Sequence, residues 1–104
     1  MADLRWSLAA ERDLRLLEEF IAHESPLRAV AFVDRLIQSA EILRSTPQLG
    51  RSVPEFDRPE VRELIFRGYR VVYVLDASVV TIARVVHGAR DLASLVNREP
   101  WDLS

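Results

Sequence analysis

Residues 62–92, RELIFRGYRVVYVLDASVVTIARVVHGARDL, decide the fold. Residues 61–66 and 69–75 are β-forming runs separated by Arg67-Gly68, a two-residue connection with a glycine available for positive φ. A third run, 79–86, returns after Asp76, Ala77 and Ser78, so the segment reads as an antiparallel meander. Its last two strands are apolar on both faces, and a strand of that kind is covered on both sides. Arginines interrupt this apolar pattern at positions 70, 84 and 90. A purely structural sheet has little use for that much fixed positive charge, and the excess points to a surface that meets an anion.

Register sharpens the point. If Arg67-Gly68 is a two-residue turn, Arg70 lies opposite Ile65. If Asp76, Ala77 and Ser78 form a three-residue turn, Arg70 faces Arg84, a like-charge pair that costs up to about 1 kcal/mol unless an acid or an anion intervenes. Glu63, on a diagonal from Arg70, can offset part of that cost. A two-residue second turn would instead put Arg84 on the opposite face.

Working outward, the N-terminal half is helical. Residues 3–6 read as a short edge strand and Ser7 as the N-cap of a first helix. Leu14, Leu17 and Ile21 give that helix one buried stripe. Ser25-Pro26 restarts the helix, a capping side chain followed by the residue favoured at the first helical position. The second helix runs over residues 26–45, with Ala29, Val33, Leu36, Ala40 and Leu43 on its core side. Residues 46–59, with three prolines and one glycine, form the single long loop, anchored by Val53 and Phe56. The fold class is α+β: an N-terminal helical hairpin packed on a three- to four-stranded antiparallel sheet, with a short C-terminal element. The hairpin covers one sheet face; the other falls to the C-terminal tail or to a partner protein.

Composition bounds the function. The 104 residues fit one domain, with a core over about 3–92 and a tail over 93–104. The 49% hydrophobic and 29% charged content is that of a globular protein. Cysteine is absent, which excludes disulfides, thiolate nucleophiles and Cys-based metal sites. His23 and His87 stand far apart without ligand-spaced neighbours, so no metal is expected, and no P-loop, GxGxxG or nucleophile elbow calls for a cofactor. The N-terminal residues MADLRWS lack a signal pattern and no run is long enough for a membrane span, so a cytoplasmic protein is expected. All 14 basic residues are arginine, yet the net charge is −2. The chain lacks the basic excess of a non-specific nucleic-acid binder, so anion recognition must be local.

The order strand, helix, helix, meander, with SP opening the second helix, LGRSVPEF in the long loop, GYRVVYVL in one strand and VVHGARDL closing the next, resembles the RelE/ParE superfamily. The likeness covers roughly residues 4–92. These are toxins of bacterial type II toxin–antitoxin systems. The resemblance implies a small toxin neutralised by a cognate antitoxin, ParD-like or related, whose acidic C-terminal segment wraps the fold along the helical groove and the exposed sheet face.

The superfamily divides by activity. ParE-like members inhibit DNA gyrase, whereas RelE-like members cleave mRNA in the ribosomal A site. Cleavage by 2′-hydroxyl attack needs cations at the phosphate and a proton acceptor. Arg70 and Arg90 match the arginines of the RelE-like set, and Arg62 is a basic substitute on the earlier strand. The lysines of that set are absent, and Val96 stands where a catalytic tyrosine is expected. Tyr69, Tyr73 and His87 remain as proton carriers. The expected activity is therefore gyrase inhibition by binding. Ribosome-dependent mRNA cleavage through Arg62, Arg70, His87 and Arg90 is the alternative, and a non-toxic binding module is the second alternative. Antitoxin or target contacts are expected at Arg70, Arg84, Arg90, Tyr73 and Phe56. A partner carboxylate suits the arginine fork as well as a phosphate does. Tyr69, Tyr73, Trp6 and Trp101 also read as ordinary packing aromatics, His87 as a turn residue, and Arg90 as an ion-pair partner of Asp91.

Overall fold

The computed structural model describes residues 1–90, 92, 93, 95 and 101. Strand β1 (Asp3–Trp6) leads into α1 (Leu8–Ala22) and α2 (Pro26–Ala40), which tightens into a 3-10 turn at Glu41–Arg44. Then follow β2 (Arg51–Ser52), β3 (Val61–Phe66), β4 (Tyr69–Asp76) and β5 (Val79–His87). The helices start where their caps place them: Ser7 Oγ accepts from Ala10 N–H at 3.0 Å and Ser25 Oγ from Arg28 N–H at 3.2 Å. Each hydroxyl thereby satisfies one of the donors that a helix start leaves open.

The sheet has five strands in the order β1-β5-β4-β3-β2, one more than the largest number expected. The extra one is β2, two residues of the long loop paired with β3 through Arg51–Glu63 and Ser52–Arg62. So short a strand carries no alternation of its own. β1 runs parallel to β5, in register from Asp3–Val79 to Trp6–Ile82. The two are joined through the rest of the chain rather than by a hairpin, which frees them to be parallel.

Beyond Trp6 the helix replaces β1 along the open edge of β5. Ser7 N–H bonds Ile82 O at 2.9 Å, and Ser7 Oγ donates to Ala83 O at 2.8 Å. Within the second helical turn, Asp13 accepts from Val85 N–H at 2.9 Å. Side chains thus satisfy edge groups that would otherwise be free to pair with another strand.

The first hairpin turn is as expected: Arg67 (φ 47°) and Gly68 (φ 86°) are both left-handed, and Arg70 pairs with Ile65. The second turn is not. Asp76 pairs with Val79, so the connection is two residues, Ala77-Ser78, with Ala77 at φ 53°. A bulge at Ala83 then shifts the register, from Tyr73–Ile82 on one side to Val72–Arg84 on the other. Arg70 consequently faces Val86, and no arginine faces another across this ladder. The opposition of Arg70 and Arg84 that a three-residue turn would give therefore fails. The bulge returns Arg84 to the face of Arg70, opposite Val72, whereas the two-residue turn alone would have put it on the other face. Neither the shorter turn nor the bulge has a local residue signature.

Both sheet faces are covered. On one, Val71, Tyr73, Val80 and Ile82 pack against Leu14, Leu17, Val33 and Leu36 of the helices. On the other, Val61, Val72, Val74 and Val86 meet the loop anchor Val53 together with Leu92 and Leu95, and Phe56 and Trp101 pack at the margin. The chain's own loop and C-terminal residues therefore take the second face, which the sequence left to the tail or a partner. An antitoxin lying on that sheet face would have to displace them.

Candidate functional site

Arg70 and Glu63 share the second sheet face, because Arg70 pairs with Ile65 and Glu63 lies two residues earlier on β3. Strand alternation therefore aims both side chains the same way. Arg70 Nε donates to Glu63 Oε1 at 2.6 Å, while Nη1 and Nη2 donate to the two oxygens of Glu55 at 2.9 and 2.8 Å. The second Glu63 oxygen accepts from Arg51 Nε at 2.8 Å. The four groups form a charge-balanced chain from the loop through β4 and β3 to β2. Its interior is buried: the Arg70 side chain is 9% exposed and that of Glu63 is fully buried. Two parallel bonds from a guanidinium to one carboxylate are the strong, directional form of this contact. The bonds to Glu55, joined by the one to Glu63, raise the Arg70 guanidinium above its ordinary value against the opposing effect of burial. Hydrogen bonding from Arg70 in turn lowers the Glu55 carboxyl below 4.5.

Arg84 is also paired. Its Nε and Nη2 donate to Asp13 of α1 at 2.8 and 3.1 Å, and its guanidinium lies 5.1 Å from the centre of the Trp101 ring. The pair is about one-tenth exposed on each side, so removing either partner would strand a buried charge. Trp101 also packs on Phe56, ring centres 5.6 Å apart.

The remaining candidates lie elsewhere. Arg62 Nη1 donates to the carbonyls of Gln48 and Gly50 at 3.2 and 2.9 Å, which ties the long loop to β3. Tyr73, paired with Arg62, is fully buried; its hydroxyl donates to Pro47 O and accepts from Gly50 N–H, both at 2.8 Å. Burial pushes this phenol up, away from proton-carrier duty near neutral pH. A side chain at position 50 would meet the Tyr73 ring and hydroxyl at 2.6 Å, which makes glycine necessary there. His87 pairs with Tyr69 at the far end of β4 and β5, their rings edge to face at 5.1 Å. His87 Nδ1 accepts from Ala89 N–H at 3.1 Å, so the proton of the neutral ring sits on Nε2. Arg90 is exposed, its backbone N–H closing a turn onto His87 O. Asp91 and Val96 fall outside the described residues, as does most of the tail.

The register divides the RNA-cleaving candidates. Ile65 is three residues from Arg62, so Arg62 and Arg70 point to opposite faces of the sheet. Tyr69 and His87 sit across from one another one residue before Arg70, on the helix side, where Tyr69 packs against Phe32 at 5.7 Å. Arg62, Arg70 and His87 are not gathered into one cluster.

On the helix side a cleft of about 390 Å³ opens between the α1–α2 corner and the end of β4. Phe20, Phe32 and Tyr69 supply its apolar wall and His23, Glu24 and Arg28 its rim. Beside it Leu16 and Phe20 stand 53% and 72% exposed on α1. The residues missed from sequence are Glu55, Asp13 and, in this wall, Phe32. Glu55 had a usable signal, since it lies between the two loop anchors Val53 and Phe56. Asp13 had none, because its partner is 71 positions away. Among the described residues no group of His, Asp and Glu is arranged to hold a metal, and no helix is long and apolar enough to cross a membrane.

Comparison with known proteins bears on this arrangement. The chain is 32% identical over 91 residues to toxin RelE2 of Caulobacter vibrioides, a match spanning 86% of this chain and 99% of that one. Its fold superposes on a chain of the chromosomal ParDE toxin–antitoxin system of P. aeruginosa with a TM-score of 0.71 at 20% identity, covering 84% of this chain and 96% of the other. It also superposes on a chain of the RelBE2 toxin–antitoxin complex of Mycobacterium tuberculosis, with a TM-score of 0.57 at 22% identity over 83% and 96% of the two chains. Residues 4–92 match the family model described as ParE toxin of the type II toxin–antitoxin system parDE. The chain therefore belongs to the ParE toxin family of type II toxin–antitoxin systems.

Proposed function

We propose that this toxin acts by binding DNA gyrase without a catalytic step of its own, and that a cognate antitoxin holds it inactive. The observation that carries the reading is the state of Arg70. A group that stabilises a phosphate in a transition state must be aimed at it and free to meet it, whereas Arg70 is spent on Glu55 and Glu63. Arg62 and His87 face the other side of the sheet from it. Such a distribution suits a protein that acts by binding better than one that cleaves RNA. Antitoxin docking is assigned to the helix side, where the exposed Leu16 and Phe20 adjoin the 390 Å³ cleft. An amphipathic segment laying apolar side chains there follows a common recognition mode.

Ribosome-dependent mRNA cleavage is the second reading, favoured by the name of the Caulobacter relative. Pulse labelling after induction without antitoxin separates the two. Thymidine incorporation is expected to fall first, and purified chain is expected to block gyrase supercoiling. Early collapse of methionine incorporation would replace the gyrase reading with mRNA cleavage.

A further inference from the structure

The group that fills the Arg70 fork comes from a loop rather than from the sheet. Arg70 Nε is satisfied by Glu63, held on β3 by its pairing with Val72 and by Arg51. Nη1 and Nη2 are satisfied by Glu55, in a loop that joins the fold here through Val53 and Phe56. The two carboxylates differ in access. Glu63 is fully buried, whereas the Glu55 side chain is one-quarter exposed, so solvent approaches the fork along the Glu55 side.

A guanidinium fork takes a carboxylate or a tetrahedral oxyanion through the same two N–H groups. The charges reinforce this equivalence. Arg51 and Arg70 balance Glu55 and Glu63, and without Glu55 two guanidinium groups would share one carboxylate.

We propose that Arg70 is an oxyanion-binding site occupied by the chain's own Glu55. The loop carboxylate stands where a phosphate, a sulfate or a partner's carboxylate would sit, and excludes it while Val53 and Phe56 keep the loop docked. Glu55 is then the residue that makes this face of the toxin inert towards phosphodiesters. The inference does not depend on which target the toxin has, since it concerns only what the fork can bind.

The test is thermal unfolding of the full chain and of Glu55→Ala in sodium sulfate and in sodium chloride of equal ionic strength. Sulfate stabilises folded proteins in general by exclusion from their surface, so the extra gain of the variant over the natural chain is what counts. Glu55→Ala is expected to gain about 5 °C more than the natural chain, saturably, as for a bound ligand. Adding Arg70→Ala is expected to abolish that extra gain. If Glu55→Ala unfolds in chloride, Glu55→Ser is compared with the natural chain in the same two salts, and its outcomes are read in the same way. Equal sulfate gains in variant and natural chain would overturn the proposal. A saturable sulfate effect already present in the natural chain would overturn the blocking role of Glu55.

Discussion

On the helix side, β4 and β5 meet α1 and α2 through aliphatic contacts such as Val71, Ile82, Leu14 and Leu36. On the opposite side the same strands meet a loop and the C-terminal residues, and an ion chain of Glu55, Arg70, Glu63 and Arg51 runs beside the apolar cluster. The helix side is closed by periodic side chains on long elements, which bury area without demanding exact partners. The other side is closed by partners that must all be present together. A half-satisfied buried ion chain is worse than an apolar core. The first kind of closure leaves a cleft at its margin; the second leaves an arginine fully engaged.

The largest test of this contrast sets one buried residue of each face against the other. Glu63→Ala leaves the buried Nε of Arg70 without a partner and is expected to cost about 4 kcal/mol. Leu36→Ala on the helix side opens a cavity for about 3 kcal/mol. Replacing both Glu63 and Arg70 by apolar residues is expected to recover much of the Glu63 loss, whereas no second substitution of that kind repairs Leu36→Ala. Chemical denaturation of the three variants measures this, and equal losses for single and paired changes would break the contrast.

Tyr73→Phe probes the point where the helix side reaches the loop. It leaves Gly50 N–H and Pro47 O without their buried partner and is expected to cost about 2 kcal/mol. Faster proteolysis within residues 46–52 would accompany it, because those two bonds pin the loop start.

The smallest effect is the pH dependence contributed by Glu55. Arg70 holds this carboxyl below 4.5 in the folded chain. A lowered folded value gives stability that is complete above the unfolded value and is lost as pH falls through the folded one. Thermal midpoints of the natural chain should therefore drop on acidification below pH 4.5, and the drop should be shallower in Glu55→Gln. Identical acid limbs would remove Glu55 from the ion chain's contribution to stability.

Much of this architecture was legible in the residues. The two caps at Ser7 and Ser25, the apolar stripes of both helices and the Arg67-Gly68 turn are local signals, because each depends on neighbours within four positions. The loop anchors Val53 and Phe56 were legible as apolar residues in an otherwise polar segment. The site was legible only in part. Arg70, Arg84 and Glu63 stood out as charges on apolar strands, but their partners did not, and an arginine awaiting a ligand has the same sequence as one already satisfied.

The sequence by itself determined the two helices, the strands other than β2, the pairing of β3 with β4 and the anomaly of arginines within strands. Only the tertiary structure decided where those charges went. A two-residue turn and a bulge at Ala83 set the register of Arg84, and Asp13 reached it from 71 positions away. Glu55 reached Arg70 from a loop whose path depends on Tyr73, Gly50 and Arg62. Periodicity reports which face a residue takes, whereas an ion pair depends on where two separate elements come to rest, and no local preference encodes that distance.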